Sequence, residues 1–107
     1  MKKHTRLPNE TLRTVRIQQS FFFYTDIGEY TGIYTDNLTD FHKKIGTVPL
    51  TSIDFHFIRG DFEKWARDTL GDEQLVVKIN SMKTSMTPKK IKTSLKRTVK
   101  LRLKQLN

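Results

Sequence analysis

Four side chains that could carry out acid–base or anion-binding chemistry lie close together in the middle of the 107-residue chain: Asp54, His56, Arg59 and Asp61. An imidazole beside carboxylates can transfer a proton, and a guanidinium can hold an anion. The same residues also fit a structural network. In that network Asp61 caps a helix, His56 is partly buried and hydrogen-bonded, and Arg59 is an ion-pair partner. The structural interpretation is favoured, and no catalytic residue is predicted.

Other patterns of catalytic or metal-binding residues are missing from the sequence. Cysteine is absent, which excludes disulfides, thiol nucleophiles, iron–sulfur clusters and cysteine-based zinc sites. The imidazoles of His4, His42 and His56 lack the spacing of a metal site and are interpreted as structural or surface residues. Neither a glycine-rich phosphate loop nor a nucleophile elbow occurs. We therefore expect no metal, no cofactor and a non-enzymatic role.

The strongest functional signal is the distribution of charge. The net charge is +9, yet residues 21–81 hold ten acidic and six basic side chains. The excess lies at the two ends: residues 1–20 carry five basic side chains and one acidic, and residues 82–107 carry nine basic and none acidic. Because a positive surface concentrates polyanions, DNA or RNA is the predicted partner.

The C-terminal basic residues are predicted to lie on one side of a helix over residues 87–106. Thr87 is a typical capping residue, and Pro88 suits the first helical position. The alternation at 99–103 also fits a strand, but the cap and the length favour a helix. At helical spacing, an apolar face consists of Ile91, Leu95, Val99, Leu103 and Leu106. The adjoining stripe contains the predicted nucleic-acid contacts, Lys89, Lys92, Lys96, Arg97, Lys100 and Lys104.

The composition of this stripe also predicts how it binds. Lysines outnumber arginines seven to two after residue 81, which favours phosphate contacts over base readout. No aromatic side chain lies among the lysines, so this segment is not expected to stack on bases. Lys2, Lys3 and Arg6 form a second, flexible contact in this interpretation.

Several alternatives to nucleic-acid binding remain open at the level of sequence. The stripe can be an ordinary solvated face. The amphipathic helix can instead bind an acidic protein partner or mediate self-association, which makes a protein-interaction or regulatory module the second candidate. A membrane-surface helix is weakened by the lack of Trp or Phe anchors. An enzyme that uses His56, Arg59 and Asp61 is the third candidate.

All eleven aromatic residues fall between Phe21 and Trp65, so the core is expected to form around this stretch. Residues 12–24 fit either a strand or a buried helix, and residues 25–36 read as a loop or broken helix. Residues 38–45 are predicted to form a helix, with Asn37 as the capping residue before it and Gly46 at its end.

Two glycine–aspartate pairs predict further helix boundaries. Gly60 and Gly71 each end a helix, and Asp61 and Asp72 each cap the next one. The segments between them are 53–59, 62–70 and 75–79; residues 53–58 also alternate like a strand, but a helix is preferred.

The predicted fold is mainly α: a small single-domain helical bundle that is closed by the basic C-terminal helix. A short N-terminal strand is compatible with this prediction. Residues 1–11 form a basic flexible arm, and residues 12–107 form the domain, with the aromatic core in 21–79. No apolar run approaches 18 residues, so we expect no membrane span and a cytoplasmic protein.

The stretch from Phe21 to Ile79 resembles a family of short, mostly archaeal proteins known as a domain of unknown function. The likeness is densest from Phe55 to Trp65 and in Leu70-Gly71-Asp72-Glu73; it extends to Tyr30-Thr31-Gly32, Asn37-Leu38 with Phe41, Val48-Pro49 and Ser52-Ile53. The resemblance implies a predominantly helical fold and brings no activity, cofactor or catalytic residue. In relatives we expect the C-terminal helix to mix Glu with Lys, so the basic stripe is particular to this chain.

Overall fold

The computed structural model describes residues 8–82 and 86–107. The predicted N-terminal contacts Lys2, Lys3 and Arg6 lie outside the described residues. The end of the predicted arm, Pro8–Thr11, forms a short helix, α1. Within the described part of the chain, no helix is long and apolar enough to cross a membrane.

Two antiparallel strands, β1 (Phe21–Asp26) and β2 (Glu29–Thr35), form a hairpin. The hairpin corrects the expectation of a loop or broken helix over 25–36. Of the two interpretations left open for residues 12–24, the strand is right from Phe21 onward, and Ile17–Gln19 before it form a single 3-10 turn. The turn between the strands uses Gly28, whose φ of +78° suits glycine.

Five further helices follow the hairpin. They are α2 (Leu38–Ile45), α3 (Leu50–Arg59), α4 (Asp61–Trp65), α5 (Glu73–Asn80) and α6 (Pro88–Leu106), and a π-helical turn, Ala66–Leu70, extends α4. The prediction of a mainly α protein is confirmed, with the hairpin as its β component. Helix is also the right assignment for residues 53–58.

The helix boundaries follow local capping chemistry. Gly60 (φ +75°) and Gly71 (φ +70°) are left-handed, as helix-ending glycines commonly are. The side chains of Asn37, Asp72 and Thr87 accept hydrogen bonds from the first turns of α2, α5 and α6. All five of these positions confirm the sequence prediction.

Asp61 corrects that prediction. Asp61 is the first residue of α4 and Gly60 occupies the cap position, so its side chain makes no capping bond. Its Oδ2 accepts from His56 and Arg59.

The core lies between the hairpin and the helices. β1 packs against α3, and α6 packs across α2 and α3. The ring of Phe21 lies at the centre, 4.9 Å from Phe23, 5.2 Å from Phe62 and 5.7 Å from Trp65 between ring centroids. Helix α6 contributes buried aliphatic side chains, Ile91, Leu95 and Val99, with Leu103 and Leu106 packed at the margin.

Candidate functional site

The polar residues of α3 and α4 meet in one cluster. His56 Nδ1 lies 2.7 Å from Asp61 Oδ2, and Arg59 Nε donates to the same oxygen at 3.0 Å. On the other side of the imidazole, the backbone N–H of Tyr24 donates to His56 Nε2 at 2.8 Å. The structure thus brings His56, Arg59 and Asp61 together, whereas the half-buried Asp54 stays outside the cluster.

These contacts define the proton arrangement of His56. Since Nε2 accepts from an amide, the proton of the neutral ring sits on Nδ1 and is donated to Asp61. Burial of the ring lowers the pKa of His56 below its usual 6.5, and Arg59 lowers it further. The hydrogen bond and the charge of Asp61 only partly oppose this effect. His56 is therefore a neutral hydrogen-bond bridge between β1 and α4.

An open groove of about 830 Å³ lies beside this cluster, between β1 and the α3–α4 corner. Its walls include Phe55, Trp65 and Lys64, and the Arg59 guanidinium lies 4.9 Å from the centroid of the Phe55 ring. A general base needs a free nitrogen to accept a substrate proton. In this arrangement both nitrogens of His56 already have partners, so the cluster supports structure more directly than acid–base chemistry.

Within residues 8–82 and 86–107, no group of three or more His, Asp or Glu side chains could hold a metal ion.

The predicted basic residues lie along α6. Lys89, Arg97, Lys100 and Lys104 are exposed, and Lys92 and Lys96 are half-buried. Among the described residues, none of these six forms an ion pair with Asp or Glu. Arg102 is the basic residue of α6 that does: its Nε lies 2.8 Å from Asp72 Oδ2. Within the described residues, the acidic side chains of the middle of the chain therefore do not neutralise the predicted contacts of α6 through ion pairs.

Helix α2 adds two residues that the sequence interpretation missed as site residues, His42 and Lys43. Burial lowers the pKa of His42 from 6.5, and the charges of Lys96 and Lys100 lower it further. Gly46 at the end of α2 also lies under Lys96, since a Cβ placed there would be 3.1 Å from Lys96 Nζ.

We call these residues together the basic face: Lys89, Lys92, Lys96, Arg97, Lys100 and Lys104 of α6 with His42 and Lys43 of α2. The helical spacing of α2 in the sequence places Lys43 opposite the buried Phe41 and Ile45, and could have identified Lys43 as exposed. The proximity of α2 to α6 depends on tertiary packing and has no signal in the local sequence.

Comparison with known proteins does not identify the chain. No protein-family model matches it, and neither a curated protein nor a solved structure gives a match. The resemblance to the archaeal family therefore stays a prediction.

Proposed function

We propose that the basic face binds nucleic acid through phosphate oxygens, with little dependence on base sequence. The observation that carries the proposal is the positive charge that α6 and α2 present together. The six predicted cations of α6 have no acidic partner among the described residues, and Lys96 and Lys100 lie near enough to His42 to affect its pKa. Binding of such a surface to a polyanion is favourable because it releases the counterions condensed on the polyanion.

The residue types favour contact with the backbone. Five of the six predicted contacts on α6 are lysines, which act as mobile point charges on phosphate rather than as planar forks on base edges. A helix of this length spans about 28 Å at about 1.5 Å per residue. That length suffices for several successive phosphates.

The protein-interaction alternative has less support from the packing of α6. Its apolar side, which would dock on an acidic protein partner or a second copy, covers the core through Ile91, Leu95 and Val99. Leu101 is the half-exposed exception, at 50%. The enzyme alternative has less support as well, since both nitrogens of His56 are engaged.

Fluorescence anisotropy with a labelled 20-base-pair duplex tests the proposal. If about five phosphates are neutralised, the log–log salt slope is about −4.5, and affinity falls roughly 500-fold between 50 and 200 mM salt. Lys96→Glu/Lys100→Glu should abolish binding. The matched control is Lys64→Glu/Arg67→Glu, which makes the same change in net charge at exposed positions of α4 and the π-helical turn.

Equal losses in the two double variants would show that net charge, rather than this face, drives association. No binding by the wild type to the duplex or to a single strand of the same length at 50 mM salt would exclude the proposed function.

A further inference from the structure

Four aromatic side chains form a continuous row on the face of the hairpin that points away from the core. Tyr34 stacks on Phe22 at 5.4 Å between ring centroids, Phe22 lies 5.8 Å from Tyr30, and Tyr30 lies 5.4 Å from Tyr24. We call these residues the aromatic row. The alternation of β1 separates it from Phe21 and Phe23, whose rings are buried on the opposite face.

The row is open to solvent at its β2 side. Tyr30 is 44% exposed and Tyr34 is 39% exposed, although large rings usually supply core area. Gly32 lies between these two tyrosines on the same strand, and no atom lies within 4 Å of where its Cβ would be. Ring faces and edges are therefore accessible along β2.

The aromatic row is connected to the basic face through α2. Lys44 Nζ donates to the carbonyl oxygen of Tyr34 at 3.4 Å, so Lys44 lies on the side of α2 that faces β2. His42 lies four residues before Gly46 on the side of α2 that faces α6, where a Cβ placed on Gly46 would be 3.1 Å from Lys96 Nζ. The charges of Lys96 and Lys100 also lower the pKa of His42. At about 100° per residue, Lys43 points outward between them.

We propose that this protein binds single-stranded nucleic acid across α2, with unpaired bases stacked on the aromatic row and phosphates held by Lys43, Lys96 and Lys100. The inference rests on the proposed function and specifies its substrate. Stacking on aromatic rings needs a free base face, which a duplex does not present. The lysine-rich segment itself has no aromatic side chain, and the rings are supplied by the hairpin.

The acidic residues around the hairpin define where stacking is strongest. At the α2 end, Asp40 is neutralised by Lys44 at 2.8 Å and also accepts from Thr35. Asp36, at the same end, is half-buried and accepts from the Asn37 side chain at 3.2 Å. Asp26 and Glu29 lie exposed at the turn end, where they repel phosphates. We therefore expect bases to stack mainly on Tyr34 and its neighbour Phe22, and less on the rings nearer the turn.

Competition between a 15-nucleotide oligo-dT and a 15-base-pair duplex at 100 mM salt tests the inference. Wild type should prefer the single strand. Tyr34→Val keeps a residue suited to a strand but removes the ring, and should weaken oligo-dT binding about tenfold or more with duplex binding unchanged. Tyr30→Val should have a smaller effect. Phe55→Leu, which removes a groove ring outside the row, is the control and should leave the preference intact.

The outcomes separate the two proposals. A wild type that binds duplex and oligo-dT equally, or a Tyr34→Val variant with unchanged preference, overturns the single-strand inference and leaves the backbone proposal standing. If the wild type binds neither the duplex nor the oligo-dT, both proposals are overturned. If sedimentation instead shows a dimer that Tyr30→Val/Tyr34→Val dissociates, with no change in oligo-dT affinity, the row is a protein interface and the inference is wrong.

A second measurement uses the unmutated protein, in case a variant fails to fold. Ring-proton resonances of Tyr34 and Tyr30 should move upfield when oligo-dT is added, since stacked bases shield them. Unchanged tyrosine resonances at saturating oligo-dT would overturn the inference.

Discussion

Arg102 donates from Nε to Asp72 Oδ2 at 2.8 Å, and this pair joins the last turns of α6 to the start of α5. The carboxylate is buried, with its side chain 1% exposed, and its other oxygen caps α5 by accepting from the Leu75 N–H. One aspartate therefore fixes both a helix start and the docking of another helix. Arg102 serves the fold, in contrast to the basic residues that face outward on the same helix.

Arg102→Met should destabilise the protein by about 3 kcal/mol, because it leaves the buried Asp72 carboxylate without its cation. The matched control is Arg97→Met, which removes an exposed cation from α6 and should change the free energy of unfolding by less than about 0.5 kcal/mol. Urea denaturation of both variants measures the difference. Equal stabilities would mean that Asp72 does not depend on Arg102.

His56 makes stability depend on pH through its bond to Tyr24. Since the pKa of His56 is lowered in the folded protein, the unfolded chain binds more protons as pH falls. The stabilising effect of the neutral ring is complete above about pH 6.5 and is lost as the pH falls through the lowered pKa. A protonated ring would also place an N–H against the Tyr24 N–H. Urea titrations at pH 7.5, 6.5 and 5.5 should show decreasing stability.

A control distinguishes the contribution of His56 to the pH dependence of stability from that of His42. His42 also has a lowered pKa and contributes with the same sign, so the titrations are repeated in His42→Asn. Histidine nitrogen shifts should report the Nδ1–H tautomer for His56 at pH 7.5. An Nε2–H tautomer, or a His42→Asn variant whose stability no longer varies with pH, would contradict the role given to His56.

Helix ends were predictable because their signals are local. A glycine with positive φ and a side-chain cap act within four residues, so Gly60, Gly71, Asp72 and Thr87 were recognisable in sequence. The exception is Asp61, which lies one residue past the cap position Gly60 and whose carboxylate contacts His56. Local capping rules cannot anticipate a partner that depends on how α3 and α4 turn at Gly60.

The first strand of the hairpin was left open between strand and helix, and the second was missed, because both faces of the hairpin carry aromatic side chains. Alternation of polar and apolar residues usually identifies a half-buried strand, but Phe21, Phe22, Phe23 and Tyr24 show none. In β2 the pattern is reversed: the tyrosines point outward while Thr31 and Thr35 are more buried. The feature that obscured the strand pattern is the same one that forms the aromatic row.

The candidate site was predictable to a similar extent. The six predicted contacts on α6 follow from helical spacing alone, whereas the contributions of His42 and Lys43 depend on the packing of α2 against α6. The sequence also could not indicate that Arg102, one of nine basic residues after Ser81, pairs with the buried Asp72.

Two glycines provide a matched test of backbone conformation. Gly60→Ala should cost about 1–2 kcal/mol, because φ at this position is +75°. Gly46→Ala should be neutral or stabilise by up to about 1 kcal/mol, because φ there is −73° and the unfolded chain loses freedom. The near neighbour of Gly46 is the flexible end of Lys96, which can move aside. Thermal unfolding of both variants measures the contrast, and similar losses would contradict it.

Protonation of His42 should be coupled to binding on the basic face. Burial lowers the pKa of His42, followed by the charges of Lys96 and Lys100. A phosphate bound between these lysines cancels their field, so the pKa of His42 should rise in the complex, and affinity should increase as pH falls from 7.5 to 5.5. Proton NMR of the His42 ring, with and without oligo-dT, measures the shift directly. His42→Asn should retain binding but lose this part of the pH dependence. A His42 pKa that is the same in free and bound protein would place the phosphates elsewhere on α6, away from α2.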